Sequence, residues 1–172
     1  FIGAEGPKNV TQTAEIADGW LPLYYSPYRP EVYADQLAGA PAHFEVALNL
    51  AVTVTEDDSP DAIASALAPV KAMLGFYVGG MGAKGQNFHT KLMARMGFAT
   101  EADRIQDLFL EGRRDEAIAA VPDQFADEIS LIGTPERIRD RLAAFEESPV
   151  TMLNVAPRSA GHLARVAEIL LG

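Results

Sequence analysis

The segment from His43 to Val54 is the clearest strand in the sequence. Its large apolar residues stand at every second position: Phe44, Val46, Leu48, Leu50, Val52 and Val54. The residues between them are mostly small or polar, so the strand has two different faces. In a closed barrel wrapped by helices, the large residues would pack beneath the helices and the small ones would fill the narrow interior.

Shorter strands are predicted at 1–4, 20–24 and 150–155, and each is followed by a helical pattern. Alternation of this kind favours parallel strands joined by right-handed crossovers. A mostly helical excursion occupies about 57–133. Because a complete (β/α)₈ barrel takes roughly 200 to 400 residues, these four strands supply half a barrel at most. An open doubly wound sheet is the alternative fold.

The composition of the chain argues against several classes of partner and site. The 14 basic and 24 acidic residues give a net charge of −10, which disfavours nucleic acid as a partner. The absence of cysteine excludes disulfides, thiolate metal sites and a cysteine nucleophile. The three histidines, His43, His89 and His162, are too far apart for a standard metal-ligand spacing, so we expect no metal.

The start of the chain and the length of its apolar runs indicate where in the cell the protein is expected. No apolar stretch reaches the roughly 18 residues that a membrane helix needs, and the start carries no signal-peptide pattern. We therefore expect a cytoplasmic protein with no membrane partner. The first four residues, Phe1 to Ala4, read as a buried strand without an initiator methionine. We expect the chain to be a piece of a longer one.

The turn from Gly3 to Lys8 is the best candidate site. It leaves a strand and enters a helix that starts at Pro7, without a Ser, Thr or Asp cap. Free backbone N–H groups and the helix dipole suit an anionic group there, and Lys8 could pair with it. Barrel active sites lie at this end of the strands. The alternative is a turn whose glycines serve only geometry, with Lys8 solvated.

Aromatic residues follow the second strand. Trp20, Tyr24 and Tyr25 could line a pocket for a planar ring or an apolar substrate, and core packing is the alternative for each. The glycine-rich segment from Gly79 to Gly85 is interpreted as a lid or a dimer contact, which would bring Lys84 and His89 near the substrate.

His89 is the candidate catalytic residue. His43 begins its strand at the wrong end of the barrel, and His162 lies on an outer helix, so His89 alone is placed for proton transfer. A structural role is the alternative for an isolated histidine.

Longer motifs resemble a known family. Gly3-Ala4-Glu5-Gly6-Pro7-Lys8 followed by 14–20 resembles the fifth strand, helix and sixth strand of luciferase-like flavin and deazaflavin oxidoreductases. Segments 132–138 and 150–155 resemble that family's last helix and eighth strand. Segment 77–82, with Asn87-Phe88-His89 and Arg95-Met96-Gly97, is similar to an actinobacterial subgroup that uses coenzyme F420.

The resemblance implies a TIM barrel of the luciferase-like type, with residues 1–172 as the C-terminal half of its single domain. It implies coenzyme F420, or alternatively FMN, with the phosphate-bearing tail beside Gly3, Ala4, Glu5 and Gly6. The implied reaction is hydride transfer between the deazaflavin and a small organic substrate. The rivals are an FMN-dependent monooxygenase and a non-catalytic flavin-binding or subunit-interaction barrel. The implied partners are the missing N-terminal half and a second copy, as a homodimer.

Overall fold

A computed structural model describes residues 1–157 and 159–172. The first half of the chain contains β1 (Ile2–Gly3), α1 (Pro7–Ile16), β2 (Gly19–Leu21), α2 (Glu31–Leu37) and β3 (Glu45–Val54). A helical stretch follows, with α3 (Pro60–Gly80), α4 (Phe88–Met93), a π-helical turn (Ala94–Phe98), α5 (Ala99–Leu110), α6 (Arg114–Ala119) and α7 (Asp123–Glu128). The chain ends with β4 (Ser130–Gly133), α8 (Pro135–Glu146), β5 (Met152–Val155) and α9 (Ala160–Leu171).

The sheet is built around β3. Strand β2 pairs with the first residues of β3, β5 with residues 47–50 and β4 with residues 51–54, while β1 pairs with β2. Every one of these pairings is parallel. The predicted α/β architecture with a parallel sheet is therefore confirmed, and the carboxyl ends of β1 and β2 lie side by side.

The two faces of β3 differ as predicted. Four of its large residues are at most 8% exposed and belong to the main apolar cluster: Val46, Leu48, Leu50 and Val52. That cluster includes Leu67, Val70 and Leu74 of α3. Asn49 and Ala51, on the opposite face, are exposed. Helices therefore cover one side of the sheet, and the side that would face a barrel interior is open.

The sequence missed one strand. We expect the segment from Asp123 to Ile132 to end the helical run, whereas Ser130 to Gly133 form β4 beside β3, so the described residues contain five strands and not four. Leu131 and Ile132 are completely buried there. A four-residue apolar segment has no period that separates a strand from the end of a helix.

Two boundaries also differ from the prediction. Strand β2 ends at Leu21 and not at Tyr24, because Pro22 has no N–H group to continue a strand ladder. The glycine-rich segment is not entirely outside the helix, because Gly79 and Gly80 form the last residues of α3. A Cβ atom on Gly79 would lie 2.5 Å from Cβ of Phe109, so these glycines permit close packing of α5 against α3.

Helix α3 tests the prediction that no apolar stretch is long enough to cross a membrane. Its 21 residues are long and apolar enough to cross a membrane by length and composition, so the expectation that no segment meets this test is wrong. One such helix is weak evidence for a span, because the core helix of a soluble protein passes the same test. Pro69 interrupts its hydrogen bonding, and Leu67, Val70 and Leu74 pack into the core.

Candidate functional site

The turn between β1 and α1 leaves the start of α1 uncapped. Gly6 is the N-cap residue, with φ −76° and ψ 143°, and among the described residues no side chain caps the first turn of the helix. Pro7 follows at the first helical position. Gly3 is exposed and Gly6 is half-buried, so a ligand can reach the backbone of this turn. The geometry is that of an anion-binding helix start.

Contacts from distant residues hold the turn in place. The indole Nε1 of Trp20 donates to the carbonyl oxygen of Ala4 at 2.8 Å, and the backbone N–H of Leu23 donates to Glu5 Oε1 at 2.7 Å. On the other side, Arg95 Nη2 donates to the carbonyl oxygen of Glu5 at 3.3 Å. The turn is therefore fixed between the loop after β2 and the π-helical turn.

The Glu5 side chain is directed inward. Its Oε2 atom is buried and has no hydrogen-bond partner among the described residues. Burial raises the pKa of Glu5 to about 7, against the opposing effects of the Leu23 hydrogen bond and the charge of Arg95. Near neutral pH this carboxyl is therefore present in both its protonated and its ionised form.

Two tyrosines share the surroundings of Glu5. The Tyr24 hydroxyl donates to the carbonyl oxygen of His89 at 2.9 Å. Tyr33 is 1% exposed, and its hydroxyl has no partner in the part of the chain that the structure describes. Burial, and next the negative charge of Glu5, raise the pKa of both tyrosines above the usual range. Both phenols therefore stay protonated.

Trp20 lies in the core. It is completely buried, and its ring is 4.7 Å from the ring of Tyr33 and 6.4 Å from that of Tyr25. It lines none of the pocket described next, so its contact with a substrate stays a prediction that this geometry does not support. Its observed role is to hold Ala4 and to pack the aromatic cluster behind the turn.

A pocket of about 160 Å³ opens beside the loop that follows β2. Its walls are Pro22, Leu23, Tyr24 and Tyr25 from that loop, Leu48 to Ala51 of β3, Pro69, Val70 and Met73 of α3, and Ile129. Tyr24 and Tyr25 thus line a pocket, although no bound substrate tests their role. The lining is mostly apolar, with Asn49 and the two tyrosines as its polar members, which suits a mainly apolar substrate with a few polar groups.

His89 lies at the start of α4, and the hydroxyl of Tyr24 donates to its backbone carbonyl. Its ring is 5.1 Å from the ring of Tyr77 and 6.1 Å from that of Tyr24. Its Nδ1 atom is buried without a partner among the described residues, and burial lowers the pKa of the imidazole. The imidazole is therefore neutral at pH 7. Its catalytic role stays a prediction.

The two predicted lysines lie apart from these groups. Lys84 is exposed in the glycine-rich turn and pairs with Asp107 of α5. Lys8 is exposed on α1, and its side chain has no hydrogen bond or ion pair within residues 1–157 and 159–172. The cation that contacts the turn is Arg95, which the sequence offered only as part of a motif. Arg95 contacts Glu5, which lies 90 residues earlier in the chain, and no local sequence pattern predicts this contact.

A metal site has no support in the described residues. Within 1–157 and 159–172, no three histidine, aspartate or glutamate side chains are grouped so that they could hold an ion.

Comparisons with known proteins agree with this architecture. The family model of the luciferase-like monooxygenases matches residues 1–152. A Mycobacterium tuberculosis protein is 37% identical to this chain over 179 residues. Its name describes it, provisionally, as a coenzyme F420-dependent oxidoreductase. That match covers 99% of this chain and 50% of the relative. The chain thus spans about half the length of the curated relative it matches.

A solved structure supports the fold. The coenzyme F420-dependent tetrahydromethanopterin reductase of Methanopyrus kandleri superposes with a TM-score of 0.63 at 24% identity, over 89% of this chain and 43% of that one. This likeness concerns the fold alone. With the family model matching most of its residues, the chain belongs to the luciferase-like monooxygenase family.

Proposed function

We propose that the chain is the C-terminal half of a coenzyme F420-dependent oxidoreductase. The observation that carries this proposal is the uncapped start of α1 at Gly6, which Arg95 approaches through the carbonyl of Glu5. The 37% identical relative, named for the same cofactor, supports it. Residues 1–172 would form part of a single barrel domain, with the excursion at about 57–133 as an insertion.

The residues of the turn fit a phosphate-bearing tail. Backbone N–H groups at the start of α1 would bind its oxygens, and the guanidinium of Arg95 would add positive charge. The bound deazaflavin would supply hydride transfer to or from the substrate, while the protein supplies position and field. The apolar pocket beside Tyr24 and Tyr25 would take a small organic substrate.

His89 has a defined place in this proposal. Its neutral imidazole, whose ring centre lies 6.1 Å from that of the pocket residue Tyr24, would exchange a proton with the substrate. A His89→Gln variant should then lose turnover while keeping cofactor affinity.

The second candidate is an FMN-dependent monooxygenase on the same scaffold. The family's own description as luciferase-like monooxygenases favours it. The same turn would bind the FMN phosphate, so the fold does not separate the two cofactors.

We also propose that the enzyme is a cytoplasmic homodimer. Large apolar side chains exposed on the helical excursion support the dimer: Phe76, Met81, Phe88 and Leu110. The exposed face of β3, around Asn49 and Ala51, supports a missing N-terminal half that completes the barrel. The cytoplasmic location stays an expectation from the sequence.

The test is a binding titration of the full-length protein with coenzyme F420 and, separately, FMN. The variant Gly6→Glu places a bulky acidic side chain at the N-cap, where a Cβ would already be 3.5 Å from the Phe88 ring. Gly39→Glu is the matched control, because a Cβ on Gly39 has no atom within 4 Å. We expect tight F420 binding that Gly6→Glu abolishes and Gly39→Glu retains.

Other outcomes of this titration would assign the other candidates. Preference for FMN would make the protein a monooxygenase of the flavin type. Binding of neither cofactor would contradict both enzyme proposals and leave a non-catalytic, subunit-interaction barrel.

A further inference from the structure

The Glu5 carboxyl belongs to the proposed anion-binding turn and yet lies buried behind it. Oε1 accepts the backbone N–H of Leu23 at 2.7 Å, and the buried Oε2 has no partner among the described residues. A buried acceptor without a donor is costly, more so when it carries charge. An acidic side chain is also an unexpected neighbour for a phosphate, because its ionised form repels the anion.

We propose that Glu5 takes up a proton when an anionic ligand tail binds at the Gly3–Gly6 turn, and so sets the affinity of that turn for the anion. The inference rests on the proposed cofactor site. Protonation removes the charge that repels the anion. This repulsion exists only when the anion is bound, so binding favours the protonated form of Glu5 beyond what burial alone does in the free protein.

The groups that face Glu5 allow this exchange. Tyr24 follows β2, Tyr33 lies on α2, and both stay protonated across the neutral range. Arg95, from the π-helical turn, is the cation whose charge acts on Glu5. His89 on α4 is neutral at pH 7, and Lys8 on α1 is exposed to solvent. Among these groups, Glu5 is the one whose pKa lies at about 7, whereas burial moves the pKa of His89 away from this value.

The sign of the pH dependence follows from linkage. A ligand that favours protonated Glu5 binds most tightly below the pKa of the free protein, which is about 7. As the pH rises through this value, binding must be accompanied by proton uptake, and the dissociation constant increases. In the limit of complete uptake the increase between pH 6 and pH 8 is about tenfold.

The experiment compares coenzyme F420 with its phosphate-free deazaflavin precursor, using the full-length protein. Any titration of the ring is common to both ligands, so the measured quantity is the ratio of the two dissociation constants from pH 6 to pH 8. Glu5→Gln removes the titrating group and keeps an oxygen to accept from Leu23 N–H. Glu15→Gln is the control, because it removes an exposed carboxylate from α1, the helix that follows the turn.

We expect the advantage given by the tail to fall up to about tenfold over this range in the wild type and in Glu15→Gln. In Glu5→Gln it should stay constant at the value the wild type has at low pH. A constant ratio in the wild type, or an equal decline in Glu5→Gln, would overturn the inference while F420 binding itself is intact. Absence of F420 binding at every pH would overturn the proposed function, and this inference with it.

A second measurement needs no variant. Calorimetric titration of the wild type at pH 8, in buffers that differ in ionisation enthalpy, gives the number of protons taken up on binding. Uptake of close to one proton with F420, and of fewer with the phosphate-free ligand, is the expected result. Equal uptake with both ligands would contradict the assignment to the tail.

Discussion

Arg95 donates a hydrogen bond from Nη2 to the carbonyl oxygen of Glu5, 3.3 Å away and 90 residues earlier in the chain. The contact joins the helical excursion to the turn between β1 and α1. The guanidinium also lies 5.8 Å from the centre of the Tyr33 ring. The excursion therefore contributes a cation to the proposed cofactor site.

Replacement of Arg95 by methionine should weaken binding of coenzyme F420 by about tenfold, because a charge-assisted hydrogen bond to a phosphate is lost. Lys8→Met is the matched control, since the Lys8 side chain is exposed and contacts no described residue through a hydrogen bond or ion pair. It should change the affinity less than twofold. A larger effect from Lys8 than from Arg95, measured by the same titration, would return the anion-pairing role to the lysine.

The sequence was informative where one element carries its own signal. The alternation along β3 reports which face is buried, because residue size differs between the faces. Pro7, with no capping side chain before it, marks the uncapped start of α1. These two features predicted the buried face of β3 and the position of the turn, while the alternation of strands and helices predicted the parallel sheet.

Long-range contacts could not be predicted from local sequence patterns. The ion pair between Arg29 and Glu128 joins residues 99 apart, and Arg95 meets Glu5 across 90. Neither pairing leaves a periodic trace in the chain, because it depends on how the excursion folds back over the sheet. Strand β4 was missed for another reason, since four residues are too few to define a period.

Gly79→Ala should destabilise the protein by about 1–3 kcal/mol, although alanine is the better helix former. A Cβ on Gly79 would lie 2.5 Å from Cβ of Phe109, and neither helix can move without disturbing the α3–α5 packing. Gly39→Ala, which meets no atom within 4 Å, should be neutral or slightly stabilising. Urea denaturation of both variants measures the free energy of unfolding. Equal values for the two variants would show that α5 shifts to accommodate the added methyl group without loss of stability.

Glu128→Gln should lower the free energy of unfolding by about 2 kcal/mol. Glu128 is 8% exposed and accepts hydrogen bonds from Ser26, Arg29 and Gln124. These bonds tie the loop after β2 to α7. Asp123→Asn, on the same helix, removes an exposed partner of Lys71 and should cost at most about 1 kcal/mol. A ranking in which Asp123 matters more would contradict the importance of this network.

Glu5 should make the folded protein less stable as the pH rises. Because burial raises its pKa from 4.5 to about 7, the folded state binds more protons than the unfolded state between these values. The free energy of unfolding therefore falls between pH 4.5 and pH 7 and is constant, as far as Glu5 is concerned, above that range. Glu5→Gln should abolish this slope and stabilise the protein at pH 8 by roughly 1–3 kcal/mol. Urea denaturation at pH 5 and pH 8 measures it. If the two proteins lose the same stability between these pH values, the Glu5 carboxyl does not titrate in this range, and proton uptake on ligand binding would need another group.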